Sequence, residues 1–222
     1  VNGVINFVTK SPRETQGLLV SGGGGIEERG FGTVRYGGQL GSNAYYRVYA
    51  KYSNRDELTM TDGRGAADRW WLEQNGFRVD WDASEDDLLT LQGDYYYGVL
   101  GGRVNRLSLS PPGLTPTATQ GKSEGANLLG RWTRRFTADS DLSLQFYFDR
   151  TDRGFGLGRE IRDTVDWDGQ HRFRAGERQE IVWGAGYRYS ADAFTQNPDF
   201  RVSDPEVGLQ LFSAFVQDEI SL

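Results

Sequence analysis

The sequence predicts an all-β fold: one antiparallel, up-and-down sheet whose strands are long enough to cross a lipid bilayer. Three observations predict it. Apolar and polar residues alternate with period 2 in about ten separate runs from Gly17 onward. Each run is about 9–11 residues long, the length that spans the hydrocarbon of a bilayer when a strand tilts by about 45°, whereas an average soluble strand has about 5–6. The connections alternate short, long, short, long, as in a barrel with tight turns at one end and extended loops at the other.

Taken in order, residues 1–10 (VNGVINFVTK) read as one β-strand, residues 11–16 as a linker and residues 17–222 as the sheet. A Gly-rich strand comes first. In NAYYRVYAKYS, Ala44, Tyr46, Val48, Ala50 and Tyr52 share one face and Tyr45, Arg47, Tyr49 and Lys51 the other. Phe77, Val79 and Trp81 alternate with Arg78, Asp80 and Asp82. Leu89, Leu91, Gly93 and Tyr95 alternate with Thr90, Gln92 and Asp94, and Leu128, Gly130 and Trp132 with Asn127, Arg131 and Thr133. Leu142, Leu144, Phe146 and Phe148 form the next apolar face. Val165, Trp167 and Phe173 follow, then Ile181, Trp183, Ala185, Tyr187 and Tyr189; the alternation in residues 209–222 leaves their facing open.

Tight turns are expected at residues 38–43, 82–87, 137–141 and 176–179. Long loops are expected at 54–69, at 98–124 with Pro111, Pro112 and Pro116, at 150–163 and at 190–208. The first hairpin, at residues 25–30, is brief where a long connection is due. Aromatics such as Tyr52, Trp71, Trp81, Tyr95, Phe136 and Tyr189 fall near run ends, where a girdle would meet the membrane interface. Arg134 and His171 fall on the apolar face. They are tolerable there only near a turn, where the arginine can snorkel and the imidazole can reach the interface.

Composition narrows the function. The mean hydropathy of −0.61 is that of a soluble domain, but a strand with one wet and one lipid-facing side averages to the same value. The net charge of −6 disfavours nucleic acid as a partner. With no Cys, disulfides and thiolate chemistry are excluded. His171 is the sole histidine, so a metal site would need carboxylates alone, and Glu85-Asp86-Asp87 reads as a solvated turn. The glycines at 22–25 lack the Lys-Ser/Thr and helix of a phosphate loop, and no Ser lies in a nucleophile elbow. No enzyme activity, metal or cofactor is expected.

The opening strand also carries a resemblance. Gly3, Val4, Ile5, Asn6, Phe7, Val8, Thr9 and Lys10 match the G-(V/T)-I-N-(I/V)-(I/V)-T-K strand that closes the plug of TonB-dependent outer-membrane receptors, with Phe7 a mild variant. FGTVRYGGQLG, FYFDRTDRG, HRFRAGERQEIVWGAGYRY and FVQDEISL resemble the same family, so the likeness runs through nearly the whole chain. It implies the last strand of a plug followed by about the first ten strands of a barrel of about 22. The implied role is active import of a scarce nutrient, a ferric siderophore first, across the bacterial outer membrane. The implied partners are lipid, the chain's own plug and remaining strands, and a TonB complex reached through a segment outside this sequence.

Two sets of residues follow. Arg35, Arg47, Arg78, Asp80, Arg131, Arg172, Arg174 and Arg188 are expected to point into the barrel, where cross-strand ion pairs make a wet wall against which a plug seats. Arg64, Arg69, Trp70, Trp71, Arg103, Arg106, Arg159 and Arg162 are expected in the outer loops, where arginine and aromatic rings suit an anionic, ring-bearing ligand. Cobalamin, haem and glycan importers share this scaffold, so the ligand stays open. A passive porin-like channel and a soluble β-sandwich carbohydrate-binding module are the alternatives. The sandwich would hide Tyr46, Val48, Leu91, Trp132 and Phe146 in a dry centre.

Overall fold

The computed structural model describes residues 9–156, 158–196 and 201–221; the plug-like strand expected at 1–10 lies mostly outside them. A short 3-10 turn at Pro12–Glu14 precedes ten strands: β1 (Gly17–Gly23), β2 (Gly30–Leu40), β3 (Ala44–Arg55), β4 (Trp70–Asp82), β5 (Asp87–Leu109), β6 (Pro112–Thr137), β7 (Ser140–Phe155), β8 (Gly158–Ala175), β9 (Gln179–Thr195) and β10 (Glu206–Ile220). Each strand pairs antiparallel with the next, so the order in space is the order in the chain. The sheet is open, and β1 and β10 have one strand partner each among the described residues.

Register converts the alternation into two continuous faces. Tyr46, Val79, Leu91, Gly130, Phe146, Trp167, Tyr187 and Phe212 lie in one cross-strand row, and Val48, Phe77, Gly93, Leu128, Phe148, Val165 and Tyr189 in the next row on the same face. This face is apolar and uncovered: Phe146 is 46% exposed and Leu91 44%. The row between these two, on the opposite face, runs Arg47, Arg78, Gln92, Leu129, Tyr147, Asp166, Arg188. Val104 is the one buried large apolar residue among those described. A sandwich needs a dry centre between two layers, so the single layer removes that alternative. The fold is one open, up-and-down antiparallel sheet of ten strands.

Pairing corrects the loop expectations at one end of the sheet. The tight turns occur as expected at 41–43, 83–86, 138–139 and 176–178, and 56–69 is an irregular loop. Residues 98–124, expected as loop, instead continue the β5–β6 ladder from Gly98↔Ser123 to Leu109↔Pro112. Residues 150–163 likewise stay paired from Arg150↔Asp163 to Phe155↔Gly158. Of 190–208, residues up to Thr195 and from Glu206 onward are strand. Gly, Pro and Thr read as loop when the partner strand is unknown. Pro116 is accommodated because β6 pairs with β7 only from Lys122 onward, leaving one edge of the ribbon open.

Arg134 and His171, expected on the apolar face, both lie toward the turn ends of their strands. Arg134 lies opposite Asp87, the first residue of β5, with Nη1 3.4 Å from its carboxylate. His171 is 3.2 Å from Ser140 Oγ and packs among Phe136, Phe173 and Trp183. The facing left open for β10 is also resolved. Phe212, Ala214 and Val216 join the apolar face, while Leu209 and Leu211 lie beside Ser190 and Arg188 on the polar one.

Candidate functional site

The polar face is built around a carboxylate that holds the segment preceding β1. Asp80 is 5% exposed. Its Oδ2 accepts from Ser11 Oγ at 2.7 Å, while its Oδ1 accepts from Arg78 Nε at 2.9 Å and from Thr90 Oγ1 at 3.0 Å. Arg78 also donates to Thr9 Oγ1 at 3.1 Å, and Arg47 donates to the Lys10 carbonyl at 2.8 Å. Arg13 pairs with Asp82 and lies 4.6 Å from the Tyr45 ring centroid.

The local sequence makes this segment rigid enough to be held. Ser11 and Glu14 form a reciprocal capping box around Pro12–Glu14, with Pro12 fully buried. Gly37 completes the fit, because a Cβ there would run into the Thr15 carbonyl. Thus β2, β3 and β4 hold residues 9–16 chiefly by charge and hydrogen bonds, with Pro12 the buried apolar contact. Polar contacts of this kind can be replaced by water when the segment moves away. Of the expected inward set, Arg47, Arg78 and Asp80 touch this segment. Sequence reading did not single out Ser11 and Arg13 as the side chains through which the segment is held, nor Thr90 as a second donor to Asp80; the S-P-R-E capping-box spacing was the one signal for part of it.

The other expected wall residues share the polar face but engage one another's strands. Arg131 donates to Gln145 Oε1 at 2.5 Å, Arg188 to Asp166 at 2.7 Å, and Arg172 to Asp141 at 2.6 Å and Glu180 at 3.4 Å. Arg174 lies 3.6 Å from Asp139. Arg35 Nε is buried without a hydrogen-bond partner among the described residues. Tyr49 donates to Asp94 and accepts from Gln74 at 3.0 Å. These pairs are cross-strand or near neighbours, the arrangement that stabilises a wet sheet face.

At the opposite end from the tight turns, most of the arginines expected to meet ligand are already paired. Arg64 binds Asp62 at 2.6 Å, Arg69 binds Asp56 at 3.1 Å, and Arg159 binds Asp152 through two bonds of 2.7 and 2.5 Å. Arg162 pairs with Asp192 and Glu160. Arg103 donates to the Gly65 and Ala66 carbonyls at 3.0 and 3.3 Å, and Arg106 stands exposed near the ribbon tip. Trp71 is on the apolar face beside Tyr52 and Tyr97, with ring centroids 6.3 and 5.5 Å away. Trp70 lines a polar-face cavity of about 450 Å³ together with Tyr96, Leu100, Ser123 and Arg153, and Trp71 borders it. Arg153 and Tyr96 were not singled out by sequence reasoning, since only the register brings them beside Trp70.

The loop at 56–69 is tied down by carboxylates. The Glu57 backbone amide, and after it the Arg29 guanidinium, holds the Asp56 carboxyl below its usual value of 3.8. Arg64, through its side chain first and its backbone amide second, does the same for Asp62. A carboxyl depressed in the folded state stabilises at pH above its ordinary value, and that contribution is lost as pH falls through the depressed one. A spin label at Thr61 is therefore expected to stay restricted from about pH 7 down to about pH 4 and to become mobile below that. Equal mobility throughout would remove these carboxylates as the fastening.

No protein-family profile matches this sequence, and no curated protein matches it by sequence. Among solved structures it is similar to the copper transporter OprC, with a TM-score of 0.45 and 14% identity over 92% of this chain. The chain spans 42% of the length of that structure. Among the described residues no group of three or more His, Cys, Asp or Glu side chains is placed to hold a metal ion.

Proposed function

We propose that this chain is part of a TonB-dependent transporter of the bacterial outer membrane, importing a scarce nutrient for which a ferric siderophore is the first candidate. One observation carries the reading: a single-layer sheet with an uncovered apolar face clasps, on its charged face, the segment that enters from upstream through Ser11 and Asp80. In this reading the apolar face meets lipid, the charged face lines an aqueous interior, and residues 9–16 mark where a plug joins the wall. A TonB complex pulling on the plug would work against polar contacts that water can replace. The role is transport rather than catalysis. A cavity that sets Arg153 beside Trp70 and Tyr96 suits an anionic, ring-bearing ligand through charge-assisted hydrogen bonds and stacking.

The test is uptake of a labelled ferric siderophore by cells that carry the intact protein. Uptake is expected to stop when an uncoupler collapses the proton-motive force, whereas flow through a passive porin would continue. Arg153→Ala is expected to weaken binding about tenfold, the worth of one charge-assisted hydrogen bond. Undiminished uptake after removal of both residues 57–68 and residues 103–119 would dismiss ligand recognition by these outer elements.

A further inference from the structure

We propose that the apolar face carries a binding site for a single glycerophospholipid, with an acyl chain seated at Gly130 and the phosphate on Arg134; this rests on the membrane reading above. At Gly130 the lipid-facing row loses its side chain. Its cross-strand neighbours are Leu91 and Phe146, and Trp132 follows on the same face of β6. No atom lies within 4 Å of the place a Cβ would occupy. The result is a notch of about 600 Å³ walled by Leu91, Trp132, Leu144, Phe146 and Trp167. The side chains of Thr90, Arg131 and Gln145 at its floor belong to the opposite face.

Charge complementarity names the occupant. Arg134 lies four residues along β6 on the same face, about 13 Å away at about 3.3 Å per residue. That distance fits within one leaflet of a hydrocarbon layer about 30 Å thick, so a chain in the notch places its headgroup at the arginine. Between them Trp132 Nε1 donates to Asp87 Oδ1 at 2.9 Å, which fixes the indole as the wall of the notch. Asp87 also accepts from Ser84 Oγ at 2.7 Å, so its charge is shared among several donors. Arg134 is the more exposed partner, 44% against 18% for Asp87. Its hydrogen bonds among the described residues are two 3.4 Å contacts, both from Nη1. Its remaining donors match a phosphate in the two-point geometry that guanidinium favours. The tight turn at 83–86 places this headgroup at the turn end of the sheet.

The experiment is native mass spectrometry of the intact protein, purified in detergent and supplied with phosphatidylethanolamine in mixed micelles. The unaltered protein is expected to retain one phospholipid. Gly130→Leu puts side-chain bulk into the notch, starting from a Cβ that meets no atom within 4 Å, and is expected to abolish retention, and Gly130→Ala to weaken it. Arg134→Gln is expected to lower occupancy about tenfold, as for one charged hydrogen-bond partner, with Arg134→Lys restoring part of it. Heat-modifiable gel migration checks that each variant is folded. Equal retention by folded Gly130→Leu and unaltered protein overturns the site while leaving the membrane reading intact. So does a dimer mass that Gly130→Leu removes, which would put a second copy there. A protein that partitions into buffer without detergent overturns both.

Discussion

Replacing Asp80 with alanine is expected to free residues 9–16 from the sheet while leaving the ten strands paired. The carboxylate is nearly buried and takes bonds from Ser11, Arg78 and Thr90. Its removal strands the Arg78 guanidinium, whose side chain is 19% exposed. Breaking one partner of a buried ion pair costs about 3 kcal/mol or more, so trypsin cleavage at Lys10 and Arg13 in the intact protein should accelerate roughly a hundredfold. Ser11→Ala removes a single hydrogen bond worth about 1 kcal/mol and should accelerate it several-fold. If cleavage is unchanged in Asp80→Ala, the clasp does not hold this segment, and the reading of residues 9–16 as a plug junction loses its support.

The second large effect distinguishes two adjacent residues. Leu128 faces the uncovered apolar side opposite Gly93 and Phe148, while Asn127 faces the charged side between Asp94 and Asp149. Leu128→Arg is expected to destabilise the protein in lipid vesicles by about 2–4 kcal/mol, the cost of a charge on the lipid face near mid-membrane. Asn127→Arg places the same charge between two carboxylates and is expected to be neutral or to stabilise by up to about 1 kcal/mol. Urea unfolding in vesicles reads both. A similar cost at the two positions would mean that neither face meets hydrocarbon.

The strand series was legible because each run has one apolar and one polar side, which imposes period 2, as in Leu142, Leu144, Phe146 and Phe148. The tight turns were legible from their polar residues. The β5–β6 ribbon was not. Its glycines, threonines and Pro116 have no strong local preference for strand, and only the facing chain makes them one. The same holds for the charges. Arg162 and Asp192 are far apart in sequence and meet only because β8 and β9 share a register.

Local side-chain chemistry alone determined which residues alternate, where the chain turns sharply, and that one side of each strand is apolar. Those properties depend on the residue and its immediate neighbours. The tertiary structure decided which charges cancel, which arginine stays open toward a cavity, and which face β10 presents. It also decided that Asp80 fastens the segment ahead of β1. Each of these depends on cross-strand distances, which the pairing register sets and a linear pattern does not contain.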